Sequence, residues 1–225
     1  MKRTLSILLA LIIALSAFSM AAFAEEAPQT KTAALVEKVC NATEFCLSFS
    51  TEEESGNGLS APDSTLYVKG SDFVLDTKMR SIPIRATKLG NTIYMCISIL
   101  PFLYVSFKSD FSDISEETKD MWTKVKDDIL EIGETFSLSK SYEDKIGSET
   151  YFVEEFSNNA DITAKFYYLG EELKLVTIQN AAKGTNQIVK VNSYSFEVNE
   201  RLFKKPIGVD ITKLLGFINP PFTTM

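Results

Sequence analysis

The sequence predicts an α+β fold: one large antiparallel sheet of about ten strands, long enough that it must curl. An N-terminal helix and a central helix pack on one of its faces. Three observations predict it. Segments with large apolar residues at alternate positions succeed one another from Glu44 to Val198. The links between them are short and built from glycine and asparagine, so chain neighbours pair antiparallel. The period changes from 2 to 3.6 only at Thr30–Val39 and in the stretch after Asp113. No linker rich in Pro, Gly or Ser divides residues 25–225, which read as a single domain.

Thr30–Val39 reads as a short helix with Ala33, Leu35, Val36 and Val39 as its stripe. Phe45, Leu47 and Phe49 then alternate with Cys46, Ser48 and Ser50, the period of a strand. Thr51–Asp63, acidic and glycine-containing, reads as a loop. Strands follow at Ser64–Lys69 and Ser71–Met79 across the turn Gly70-Ser71, then at Ile82–Thr87, where Pro83 predicts an edge or bulge. Gly90-Asn91 supplies the positive φ of a tight hairpin leading to Thr92–Ser98, and Phe102–Phe107 comes after Pro101. Asp113 or Ser115 caps the central helix, Glu116 and Glu117 suit its first turn, and Gly133 ends it. Ser137–Ile146, Glu149–Phe156, Asp161–Leu169, Glu172–Asn180 and Gln187–Val198 complete the strands. The tail from Arg201 shows no clear period.

Residues 1–24 carry Lys2 and Arg3, an apolar run from Leu5 to Phe18, and Ala22-Phe23-Ala24. That order is expected of a secretory signal peptide cleaved near Ala24, which places the mature chain outside the cytoplasm, in the periplasm, the cell wall space or the medium. The run is too short for a membrane anchor of about 20 residues. No cysteine follows the expected cleavage point, so release is expected rather than lipid anchoring. Losing residues 1–24 removes two cations and no acid, and the formal charge falls from −7 to −9. A chain this acidic does not attract nucleic acid or anionic lipid surfaces. The sequence contains no histidine, which excludes Ser/His and Cys/His nucleophilic catalysis. Three cysteines leave three readings open: a Cys40–Cys46 bridge, a Cys46–Cys96 bridge if their strands are neighbours, or small buried thiols.

The hairpin carrying Tyr94, Met95, Ile97, Phe102, Leu103, Tyr104, Val105 and Phe107 is too apolar for a sheet with one wet face. Either helices cover its second face, or its concave side surrounds an apolar cavity. Local phrases carry a resemblance: Tyr67-Val68-Lys69-Gly70-Ser71-Asp72-Phe73, Lys88-Leu89-Gly90-Asn91-Thr92-Ile93-Tyr94-Met95, Phe166-Tyr167-Tyr168-Leu169-Gly170-Glu171-Glu172-Leu173 and Leu202-Phe203-Lys204-Lys205-Pro206-Ile207-Gly208. With the element order, they resemble the LolA/LolB and LprG/LppX type of lipid-carrying proteins over most of residues 30–210. The resemblance implies a half-barrel closed by helices, with acyl chains held between sheet and helices.

The candidate residues for lining such a cavity are Met95, Ile97, Phe102 and Tyr104 from the sheet, and Met121, Trp122 and Val125 from the central helix. Arg80 and Arg85 are candidates to meet an anionic head group, set against exposed charges that protect a sheet edge. Glu154-Glu155 cannot share a proton, because strand neighbours face opposite ways; it reads as a solvated edge. Glu52-Glu53-Glu54 with Asp63 reads as a solvated loop rather than a calcium site. No catalytic residue, metal site or cofactor is assigned. The function expected is a secreted, non-enzymatic protein binding a lipid or other apolar ligand. The alternative is an interaction or sensor module with a self-filled core, meeting an envelope protein partner.

Overall fold

A computed structural model describes residues 30–53, 61–79, 82–97, 102–108, 136–158, 161–182 and 184–212. Helix α1 (Lys31–Asn41) leads into β1 (Glu44–Glu53), β2 (Ala61–Lys69), β3 (Asp72–Met79), β4 (Ile82–Leu89), β5 (Thr92–Ile97) and β6 (Leu103–Lys108). The second series is β7 (Phe136–Ile146), β8 (Glu149–Asn158), β9 (Ile162–Leu169), β10 (Glu172–Asn180) and β11 (Thr185–Ser195). After a 3-10 turn at Glu200–Leu202 comes β12 (Val209–Asp210). The expected central helix, including Met121, Trp122 and Val125, lies outside the described residues, as does Arg80.

These twelve strands form one sheet in the order β12-β6-β5-β4-β3-β2-β1-β11-β10-β9-β8-β7. It is two meanders joined at a seam, where β1 pairs antiparallel with β11. Among the described residues, the only parallel pairing is β12 with β6. Irregularities in the β1–β11, β1–β2, β9–β10 and β7–β8 ladders add bends to a sheet already too wide to lie flat.

The seam explains a departure from the sequence reading. Thr51, expected in a loop, pairs with Ala61 on β2 and with Val189 on β11. Glu52 and Glu53 continue opposite Ile188 and Gln187. The long β11 offers a partner, and the acidic segment becomes strand through Glu53. Pro83 pairs with Lys78 of β3 on one side. The β4–β5 ladder begins at Ile84, one residue beyond the proline.

The core lies between α1 and the inner face of β1, β2 and β8–β11. Val36 and Val39 of α1 meet Phe45, Leu47, Phe49, Phe156, Phe166, Val176 and Val189, none more than 4% exposed. Helix α1 is fixed by a complete account of its first amides. Thr30 Oγ1 accepts from Ala33 N at 3.0 Å, and Thr30 O accepts from Ala34 N. The Glu154 carboxylate accepts from Lys31 N at 2.9 Å and Thr32 N at 2.8 Å. Glu154 is therefore not a solvated edge residue: it is 2% exposed, on an interior strand, at the positive end of the helix. Its neighbour Glu155 does face the other way, toward Lys140 and Lys165.

Candidate functional site

Strand register assigns every side chain of β3–β6 to one of two faces. The inner face, continuous with the core, presents three cross-strand rows. Phe73, Lys88 and Ile93 make the first; Leu75, Ala86, Met95 and Val105 the second. Thr77, Ile84 and Ile97 make the third. These are largely the residue types that fill the core beneath α1, yet Phe73, Leu75, Met95, Ile93 and Val105 are only half-buried, and Ile97 is 42% exposed. The one cation in these rows, Lys88, is 8% exposed and donates from Nζ to Ser71 O at 2.5 Å.

The outer face carries Tyr67, Val74, Thr87 and Tyr94 in one row, and Asp76, Arg85, Cys96 and Tyr104 in another. It is crossed by the chain after β11. Lys69 and Glu200 form an ion pair. The Lys205 ammonium stands 5.9 Å from the rings of both Tyr94 and Tyr104, which meet edge-on. At β6, Val209 N donates to Phe102 O and Ile211 N to Tyr104 O. Asp210 accepts from the Ser106 hydroxyl and from Thr212 N, which holds its carboxyl well below the usual range, at about 2. Gly208 makes this closure possible: at φ 152° its Cα lies so near β6 that a Cβ would stand 2.3 Å from Phe102 O.

Between this arm and the sheet runs an open groove of about 760 Å³. Arg85 and Cys96 line it with Lys78, Arg201, Lys204, Asp63 and Asp76, and it reaches Thr77, Ile84 and Ile97 of the third inner row. Arg85 is clamped by Asp76 (Nε–Oδ1 2.6 Å, Nη2–Oδ2 2.7 Å), a contact that raises the guanidinium pKa further. Burial pushes the Cys96 thiol up.

The sequence candidates therefore separate. Met95 and Ile97 share the inner face; Tyr104 is buried on the outer face beneath Lys205. Phe102 precedes β6, is 63% exposed, and serves the arm through its carbonyl. Arg85 sits in the sheet interior with a carboxylate partner rather than at an edge. Cys40, Cys46 and Cys96 stand as thiols, not as disulfides. Three strands separate Cys46 on β1 from Cys96 on β5, so they cannot bridge. Lys88 was open to notice in sequence: it follows Ile84 and Ala86 in the apolar phase of β4.

This architecture, a single curled antiparallel sheet with a helix on its inner face, is an open half-barrel. The chain is similar in structure to the LolA superfamily protein NE2245 from Nitrosomonas europaea (9% identity, TM-score 0.33, 77% of this chain and 97% of that one covered). It is also similar to an uncharacterized conserved protein from Thermus thermophilus (8% identity, TM-score 0.42, 80% and 99% covered). A third similar structure is that of the Pseudomonas aeruginosa MucA/MucB complex (10% identity, TM-score 0.39, 75% and 58% covered). These are likenesses of fold alone. No family model and no curated protein matches the sequence.

Proposed function

We propose that the protein is a non-enzymatic, extracytoplasmic binding protein that holds an apolar ligand on the inner face of β3–β6. One observation carries this reading. A single continuous apolar face is buried with Val36 and Val39 of α1 over β1, β2 and β8–β11, but over β3–β6 its apolar side chains other than Ile84 are half-buried or exposed. Covering such a surface with an acyl chain contributes about 0.8 kcal/mol per methylene. Met95 and Ile97 belong to that surface, and the apolar stripe Met121, Trp122 and Val125 is the segment the sequence offers as its opposite wall.

Native mass spectrometry of the protein taken from its own secretory compartment tests the reading. A discrete added mass, released by organic solvent and identified as a lipid, is the expected result. A bare polypeptide that also fails to take up a dansyl-labelled fatty acid would sink it.

The groove favours a second reading, in which an envelope protein partner docks there. Its lining carries Lys78, Arg85, Arg201 and Lys204 against Asp63 and Asp76, an excess of positive charge on an acidic chain. That reading expects an acidic partner segment. Reversing Arg201 and Lys204 to glutamate should then abolish partner cross-linking in the envelope and leave ligand uptake untouched.

A further inference from the structure

Lys88 is the exception on the inner face. Its register neighbours there are Phe73 and Ile93, and the next row holds Leu75, Ala86, Met95 and Val105. The side chain is 8% exposed. An ammonium group has three protons to donate, and one goes to Ser71 O. No carboxylate among the described residues forms an ion pair with it. A buried cation with one carbonyl partner among the described residues is costly to keep in a protein interior unless something else pairs with it.

The position is as informative as the burial. Ser71 lies in the β2–β3 turn, and Lys88 is two residues before Gly90 of the β4–β5 turn, so the ammonium sits at one end of the sheet. From there the apolar rows run toward the other end of β4. Lys88 to Ile84 is four residues of strand, about 13 Å. The surface is a strip with a cation at one end and hydrocarbon along its length. Two other cations near this half of the sheet are differently placed. Arg85 faces outward and is committed to Asp76, and Lys205 covers two tyrosines on the outer face.

We propose that Lys88 is the head-group anchor of the inner face, and that the ligand is an acyl chain bearing an anionic head, carboxylate or phosphate. The chain lies along the rows of Met95 and Ile97, and the head meets the Lys88 ammonium beside the Ser71 carbonyl. This rests on the apolar-ligand reading and adds the chemical class of the ligand.

The experiment uses mature protein (residues 25–225) and four twelve-carbon or chainless probes: dodecanoate, dodecyl phosphate, dodecanol, and inorganic phosphate. Each competes against a dansyl-labelled fatty acid. The two charged amphiphiles are expected to bind at least about tenfold more tightly than dodecanol, with inorganic phosphate not competing. Lys88→Met should remove that preference by weakening the charged probes while leaving dodecanol unchanged, and Lys88→Arg should retain it. A merely structural lysine would change all probes together. The preferred charged probe identifies a carboxylate or a phosphate source. Equal binding of dodecanol and dodecanoate by the wild-type protein overturns the assignment while leaving the apolar-ligand reading intact. So does a folded Lys88→Met that keeps the preference. Failure of every amphiphile to bind overturns both.

Discussion

Replacing Glu154 by glutamine tests one of the contacts that tie α1 to the second meander. The two oxygens of Glu154 accept from Lys31 N and Thr32 N at 2.9 and 2.8 Å, and the residue is 2% exposed. Hydrogen bonds to a charged group contribute about 1.5–3 kcal/mol each. Glutamine keeps one acceptor without its charge and turns an NH2 group toward a backbone N–H, so one bond is lost and the other weakened. The favourable interaction with the helix dipole, about 0.3–1 kcal/mol, is lost as well. The expected cost is about 3 kcal/mol, or about 6–12 °C in Tm for a domain of this size. Circular-dichroism melting of the protein measures it, and hydrogen exchange should show the loss concentrated in α1. Glu155→Gln is the matched control. Its carboxylate meets Lys140 at 3.5 Å, Lys165 at 3.4 Å and the Tyr142 hydroxyl at 3.2 Å on the opposite face; with no helix end to lose, this variant should cost less than Glu154→Gln and leave α1 protected. Equal melting shifts for the two variants would refute the assignment of Glu154 as the helix anchor.

Two further outcomes concern the arm. Gly208→Ala places a Cβ against Phe102 O, so the amides of Val209 and Ile211 should lose protection in hydrogen exchange while α1 keeps its own; retained protection would show that the close approach is not needed. Asp210 gives the arm an acid limit. Bonds from Ser106 and Thr212 lower its pKa from 3.8 to about 2, so the stability they add is full above the ordinary value and is lost as pH falls from there through about 2. Near-ultraviolet circular dichroism of the tyrosines should report a transition in that window, absent from Asp210→Asn.

Much of the sheet was legible because hairpins are local. The turns Gly70-Ser71, Gly90-Asn91 and Gly147-Ser148 and the two-residue period fix neighbouring pairs without reference to distant chain. The short helix was legible from Thr30 and its stripe. The tail was not, because β12 is two residues long and owes its existence to a partner on β6 rather than to its own pattern.

By itself, the sequence determined the hairpin succession along the chain, its alternation and the acidic, histidine-free character that removes Ser/His and Cys/His chemistry. Tertiary structure decided which of two alternating faces meets the helix and which meets the arm. A period of two states that neighbours point apart; it does not state which side is dry, since that depends on what packs there from far along the chain. Hence Glu154 looked solvated and is buried by a helix more than a hundred residues earlier, Tyr104 and Met95 parted to opposite faces, and Lys88 became a cation among hydrocarbon only once β3 and β5 closed on either side of it.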